Sequence, residues 1–291
     1  MKATYTDQEK QNRFIDTDIK SFEPETKIGL LSTINADGLP HLTLITTIQA
    51  NTPTQLIWGQ FTKGMSKQHV LKNPNTGFLI MTMNRSLWRG KARYLYSKKE
   101  GHDYEMFNSK PMFRYNAYFG IHTVHYMELI ETYGREQLPL TRIITASVMS
   151  KIATWYMNIM NAKKIDDVMN RWTYTFFSRL DVLKFMTYID QDGFPKIIPI
   201  IQCQALNSHR LIFSSMAYST ELYAIQKHTQ VAIYGLSMNM ESVLVRGAFS
   251  GFDSVWGCEL GAVDVNWVYN SMPPKPGQIF PKIELTPVVD F

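Results

Sequence analysis

Within the six residues Thr62 to Lys67 the chain carries two hydroxyls, two ammonium groups and a glycine: Thr62, Lys63, Gly64, Ser66 and Lys67. An anionic phosphate ester needs that set. It requires positive charge, several N–H or O–H donors, and a glycine-containing turn opening a helix whose unpaired N–H groups point outward. On residue types alone, a solvated turn bearing two surface lysines explains the same stretch more simply. The other constellations carry less. His122 and His125 fall on opposite faces of an ideal strand and make poor joint ligands. His41, His102, His209 and His228 are dispersed, and no Ser/His/Asp or Cys/His spacing suggests a nucleophile. Cys203 and Cys258 are too few for a disulfide framework or a four-cysteine zinc site, and no C-x-x-C pairs them. No metal is expected, and no catalytic acid or base is identified.

The elements that must position the turn are legible because the chain repeats itself. LLSTINADGLPHLTLI around Asp37 is matched by KFMTYIDQDGFPKIIPI around Asp192, an offset of 155 (192 − 37). The same offset relates Pro40 to Pro195, Leu56-Ile57 to Leu211-Ile212 and Lys72 to Lys227. Leu87-Trp88-Arg89-Gly90 and Leu244-Val245-Arg246-Gly247 correspond at 157 (246 − 89), a slip of two assigned to one hairpin loop. Each copy opens with an apolar run, Ile28 to Ile34 or Val182 to Ile189, then a D-G turn whose glycine supplies φ > 0. A second apolar run follows, His41 to Ile48 or Lys196 to Gln204, and completes a β-hairpin. A third strand is expected at Gln55 to Phe61 and Arg210 to Ser215. A short helix comes next, at Ser66 to Lys72, stopped by Asn73-Pro74, and at Thr220 to Lys227. The fourth strand is Gly77 to Met83 or Gln230 to Leu236. The fifth, Leu87 to Tyr96 or Val243 to Phe252, holds a glycine where a small barrel can bend. Phe119 to Tyr133 reads as a closing strand of the first barrel.

Helices are predicted over Thr6 to Ile19, opened by a Thr6-Asp7-Gln8-Glu9 capping box, and over Asp166 to Arg179. A further helix starts at Thr141 and puts Ile144, Val148, Ile152, Tyr156 and Ile159 on one apolar stripe. The fold class is mainly β with helices (α+β), two small barrels in tandem. Residues 1–140 form the first with its N-terminal helix, 141–180 the helical connection, and 181–291 the second.

The 291 residues are 45% hydrophobic and 19% charged, enough apolar material to core two domains. The net charge of +5 is scattered along the chain. Its densest cluster, Arg85, Arg89, Lys91, Arg93, Lys98 and Lys99, is mixed with apolar residues at strand-like spacing. No nucleic-acid partner is expected, and a basic pocket for an anionic small molecule suits the charge better. Met1 to Glu25 lacks the apolar h-region of a secretion signal, and Ile143 to Met160 is interrupted by Lys151 and several polar residues. The expectation is a cytoplasmic protein with no membrane span and two free thiols.

This organisation resembles the FMN-binding split barrels related to pyridoxamine 5′-phosphate oxidase. The motifs that carry the resemblance are the D-G hairpin with its following proline, the stretch Gly64-Met65-Ser66-Lys67-Gln68-His69 before Asn73-Pro74, and Gly90-Lys91-Ala92. The first stretch is similar to the family's G-x-x-K-x-H before N-P, and the last to its G-K-A on the fifth strand. The resemblance implies FMN as cofactor, with its phosphate at Thr62, Lys63, Gly64, Ser66 and Lys67. It also places Thr43, Thr46 and Arg85 where the family contacts the flavin. Single barrels of the family dimerise around the flavin, so a tandem repeat implies two split β-barrels forming an intramolecular pseudodimer. Such a pseudodimer would have one flavin groove, with Trp256 and Trp267 as candidate ring neighbours, and could pair further as a homodimer.

There are departures. Thr43 to Ile48 lacks the basic residues of the family's second strand, and the C-terminal Trp, Arg and His signature of the true oxidases is missing. In the second copy Leu222 replaces Lys67, and a leucine cannot neutralise a phosphate. The implied function is a flavin-dependent oxidoreductase of unknown substrate, with a nicotinamide as possible reductant. The alternatives are a non-catalytic FMN store or sensor, and a haem-binding or haem-degrading split barrel.

Overall fold

The computed structural model describes residues 10–61, 64–110, 120–160, 168–255, 257–272 and 277–283, apart from the side chains of 155 and 157–160. Two compact units divide the chain: Met1–Leu138 with Ile189–Ile197, and Pro139–Tyr188 with Ile198–Phe291. The first sheet and its helices run in the order α1 (Asp16–Phe22), β1 (Lys27–Ile34), β2 (Pro40–Leu44), β3 (Gln49–Thr52), β4 (Gln55–Gln60), α2 (Met65–Lys72), β5 (Asn75–Thr82), β6 (Ser86–Lys98), α3 (His102–Ser109), β7 (Thr123–Thr132) and β8 (Glu136–Gln137). The second set is α4 (Leu140–Met160), α5 (Arg171–Ser178), β9 (Leu183–Ile189), β10 (Pro195–Pro199), β11 (Gln204–Asn207), β12 (Arg210–Ser214), α6 (Ser219–Tyr223), β13 (Gln230–Leu236), β14 (Ser242–Val255), β15 (Cys258–Asn270) and β16 (Gly277–Phe280).

Each set makes one eight-stranded sheet, ordered β2-β1-β5-β6-β7-β4-β3 with β8 on β6, and β10-β9-β13-β14-β15-β12-β11 with β16 on β15. The order is the same in both, and every pairing is antiparallel. The outermost strands, β2 and β3, are consecutive in the chain and separated only by residues 45–48. A sheet whose two edges are tied by so short a link must curl until they meet, yet those edges do not pair with each other. This is a split barrel, and the chain is a tandem of two.

The second apolar run is therefore not one strand, as the sequence suggested, but two joined by a corner. At that corner Ile45 N donates to Gly29 O (2.7 Å) and Ile48 N to Ile45 O (3.2 Å). In the second copy Ile200 N donates to Lys184 O (2.9 Å) and Cys203 N to Ile200 O (2.8 Å). The Thr47 hydroxyl spans the split, donating to Gly59 O (2.8 Å) and accepting from Gly59 N (3.0 Å). In the second copy Gln202 Nε2 donates to Ser214 O (2.8 Å), again 155 residues on at both ends.

The D-G turns form as expected. Gly38 has φ +73° and Gly193 φ +79°, and their amides donate to Asn35 O and Asp190 O. Gly90 and Gly247 stand where a Cβ would lie 2.0 Å from Glu131 O and 2.1 Å from Asp264 O, so only glycine lets those strands approach. The two-residue slip between them does not lie in the hairpin loop. Phe78 pairs with Gly90, and Ile233, 155 residues on, pairs with Val245. The hairpins match in length, and the Arg-Gly pair has moved two residues along its strand, which keeps it on the same face.

The first core is an aromatic plug. Phe14 and Phe22 pack edge-on at 5.1 Å, and Phe22 meets Trp88 edge-on at 5.0 Å, above Leu31, Leu56, Trp58, Ile80 and Met127. The helix carrying Phe22 begins at Asp16, later than predicted. Gln11 instead exchanges backbone hydrogen bonds with Thr132 (2.9 and 2.8 Å), and the Thr6-Asp7-Gln8-Glu9 capping box lies outside the described residues. The closing strand is shorter than Phe119 to Tyr133, and β15, its counterpart in the second barrel, was not anticipated. The helix expected from Asp166 starts at Arg171, where Asn170 Oδ1 caps it by accepting from Thr173 N (2.8 Å).

The face of α4 is a clear correction. Ile144, Val148 and Ile152, the expected core stripe, are 61%, 51% and 46% exposed, while Ile143, Ala146, Ser150 and Ala153 are buried. Ala153 packs with Leu206, Ile212, Leu260 and Ala262. A face of small side chains lets the helix axis come close to the sheet, and this outweighs the greater hydrophobicity of the opposite stripe. Among the described residues no helix is long and apolar enough to cross a membrane.

Candidate functional site

The C-terminal end of β2, the corner after it, the end of β4 and the start of α2 meet around a cavity of about 140 Å³. Thr43, Thr46, Gly64, Ser66 and Lys67 all line it, so the structure brings together five of the eight residues singled out in the sequence. Thr62 and Lys63 lie outside the described residues. Arg85 does not line the cavity. It occupies the β5–β6 hairpin turn, exposed and left-handed at φ +67°, with its amide donating to Thr82 O (2.9 Å).

The helix α2 is placed so that its N-terminus faces this cavity. Gly64 is its N-cap in extended conformation, and among the described residues no side chain caps the first turn. A Cβ built on Gly64 would meet nothing within 4 Å among the described residues. His69 and Lys72 sit in the last turn, where positive charge suits the helix dipole, and Asn73 N closes the helix on His69 O (2.8 Å). His69, part of the G-x-x-K-x-H stretch, is buried away from the cavity. Its Nδ1 is 2.9 Å from Thr33 Oγ1 and its ring meets His41 edge-on at 5.0 Å, which anchors the helix to β1 and β2. Ser66, buried in the first turn, shares a 2.7 Å hydrogen bond with Thr43 Oγ1. Lys67 is half-buried beside them.

The inner wall carries residues that the sequence reading did not single out: Trp58, Gln60 and, behind them, His125. Leu56, Trp58 and Gln60 are alternate residues of β4 and share a face, so the polar Gln60 next to an inward Trp58 was the available signal. His125 pairs with Trp58 across β4 and β7 and stacks on its ring at 3.8 Å and 13°. Its Nε2 is 3.0 Å from Gln60 Oε1. Burial first, and the charge of Lys67 second, push the His125 pKa down to about 4, so the ring is neutral at neutral pH. His122 is exposed on the other side.

In the second copy the corresponding positions, 155 residues on, are Ile198, Ile201, Ser219, Glu221 and Leu222. Leu222 is fully buried, and α6 has only five residues with Tyr218 before it at φ +60°. Two isoleucines, a carboxylate and a core leucine make no anion site there. Trp267, named from the sequence as a ring neighbour, stacks on Tyr269 (5.3 Å), lies 4.3 Å from the Arg246 guanidinium and donates to Gln278 Oε1 (3.0 Å). Trp256 lies outside the described residues.

The fold defines a class: a tandem split-barrel protein, whose first barrel carries this cavity. No protein-family profile matches the chain, and no curated protein sequence does. Among solved structures it is similar to an FMN-binding protein from Syntrophomonas wolfei (9% identity, TM-score 0.34, covering 40% of this chain and 81% of that one). It is similar also to group A Streptococcus HupZ (14%, 0.33, 41% and 92%) and to an F420 reductase (14%, 0.32, 39% and 93%).

Proposed function

We propose that the cavity holds the phosphate end of flavin mononucleotide, and that the chain is an FMN-binding protein acting as a flavin-dependent oxidoreductase on a small molecule. One observation carries the reading: Lys67, Ser66 Oγ and Thr43 Oγ1 line one cavity at the N-terminus of α2, whose N-cap is Gly64. A phosphate dianion there gains a cation, the hydroxyl hydrogen that the Ser66–Thr43 pair does not use, and the N–H groups of a helix start. The size suits this end of the nucleotide. About 140 Å³ is below the roughly 300–1,000 Å³ of pockets that enclose a whole ligand, so the rest of the molecule lies outside. Among the described residues that line it, none is His, Cys, Met or Tyr, the side chains that hold haem iron, which favours flavin over haem. When bound, FMN supplies the electron or hydride transfer, while the protein binds and orients it.

The test is titration of the protein with FMN and with riboflavin, which lacks the phosphate, followed by fluorescence quenching. Wild type should bind one equivalent of FMN. Lys67→Ala should weaken FMN roughly 10- to 150-fold, the value of a charge-assisted contact, and leave riboflavin unchanged, while Leu222→Ala should change neither. Absence of binding, two equivalents, or equal losses for both ligands in Lys67→Ala would refute the assignment. Reduction of the bound flavin by NADH or NADPH with turnover distinguishes an oxidoreductase from a store or sensor.

A further inference from the structure

A second cavity, of about 710 Å³, is lined by α1, β3 and α3 and shares no residue with the first. Its size is within the roughly 300–1,000 Å³ of pockets that enclose a small molecule. Lys110 and Asp103, both half-buried, line it. The Lys110 ammonium donates to Glu23 O (3.2 Å) and Gln49 Oε1 (3.1 Å), which belong to two different walls, so the charge stands in the cavity between them. Gln49 Nε2 donates onward to Met106 Sδ (3.6 Å) on the third wall. An ammonium has three hydrogens, and among the described residues no carboxylate oxygen pairs with this one within 4 Å. Burial lowers its pKa, and Glu25 and Glu23 oppose this only through space. Asp103 is the mirror case. Tyr126 Oη (2.9 Å) and Asn51 Nδ2 (3.4 Å) both donate to its Oδ2, and among the described residues no cation pairs with it within 4 Å. Gln49 and Asn51, which hold the two groups, are two residues apart on β3, about 7 Å along the strand. Opposite charges thus line one cavity without meeting, beside the apolar Ile19, Ala50 and Met106. Each has lost part of its hydration without gaining a counter-charge, a cost that a ligand carrying both charges would offset.

We propose that this cavity binds a small zwitterion, an amino acid with an apolar side chain, with Lys110 donating to its carboxylate and Asp103 accepting from its ammonium. The inference does not rest on the flavin reading, since the two cavities are built from different residues.

The experiment is calorimetric titration of the full chain with three probes: L-phenylalanine, 3-phenylpropionate, which lacks the ammonium, and 2-phenylethylamine, which lacks the carboxylate. Wild type should bind one equivalent of L-phenylalanine, about 5- to 10-fold more tightly than either analogue, as expected for half-exposed charge-assisted contacts. This comparison tests the charge pairing without any variant. Lys110→Met should weaken L-phenylalanine and 3-phenylpropionate by a similar factor and leave 2-phenylethylamine unchanged. Asp103→Asn should weaken L-phenylalanine and 2-phenylethylamine and leave 3-phenylpropionate unchanged. The retained analogue shows in each case that the cavity is still folded. No binding of L-phenylalanine up to about 10 mM, binding no tighter than that of the analogues, or variants that change all three probes alike would overturn the inference. None of these results bears on FMN binding in the first cavity.

Discussion

Replacing Lys184 by methionine should flatten the alkaline rise in stability of this protein by one lysine's share. Lys184 is fully buried in β9, and its ammonium donates to the Arg179 carbonyl. Burial pushes its pKa from 10.5 down to about 8. The nearby Cys203 thiol, itself pushed up to about 12 by burial, is neutral and offers no counter-charge. Lys27 in β1 is in the same state: burial first, and then the charge of Lys110, lower it to about 8. A lysine whose folded pKa lies below its unfolded value loses its proton first in the native state. Between about pH 8 and 10.5 the unfolded chain therefore binds more protons, and stability rises with pH; below about 8 both states are protonated and the contribution is flat.

Each such lysine gives a slope of about 1.4 kcal/mol per pH unit in that window. Lys110 is lowered by burial as well, so Lys184→Met should remove one lysine's share of the slope, about 1.4 kcal/mol per pH unit. At pH 7 the charged lysine holds about 3 kcal/mol against folding. Methionine of similar length removes this but leaves the Arg179 carbonyl short of a donor, so the net gain is about 1–3 kcal/mol. The assay is urea unfolding at quarter-unit steps from pH 7.25 to 8.5. It stops there because burial also raises Cys203 and, further up, Tyr126, Tyr234 and Tyr269, and these oppose the slope once the unfolded thiol and then the unfolded tyrosines ionise. Equal slopes for wild type and Lys184→Met would refute the reasoning.

Two further predictions concern the scaffold. Arg89 and Glu136 form a bidentate pair (3.0 and 2.9 Å) at 1% and 4% exposure, and Arg89 also donates to Ile197 O (2.9 Å) within the same unit. Glu136→Gln leaves a buried guanidinium without its counter-charge and should cost about 3–5 kcal/mol in chemical denaturation; a loss below 1 kcal/mol would mean that water reaches the pair. On α4, Ile152→Asp should change stability by no more than about 0.5 kcal/mol, as exposed substitutions do, whereas Ala153→Asp should cost several kcal/mol by burying a carboxylate. The opposite ranking in thermal melts would put the apolar stripe back into the core.

Much of this protein is determined by near neighbours in the chain and was legible there. The D-G turns need only a glycine at φ > 0 and flanking apolar runs, and the 155-residue repeat exposes both barrels because like sequences make like local structure. The Gly64 to Lys67 stretch is equally local: a glycine, a hydroxyl and a lysine at a helix start carry their chemistry wherever the helix goes. Residues 45–48 were different. Their β-branched composition favours a strand, but closing the barrel requires a corner there, and only the distant Gly29 and Gly59 that receive its hydrogen bonds make one. The burial of α4 was decided in the same way, since its sequence offers two apolar stripes and the sheet beneath accepts the one with small side chains. Trp58, Gln60 and His125 come together only when β4 pairs with β7, across more than sixty residues of chain. Side-chain chemistry and turns are short-range properties, whereas the inner wall of a cavity is set by strand register, and register is a property of the closed sheet.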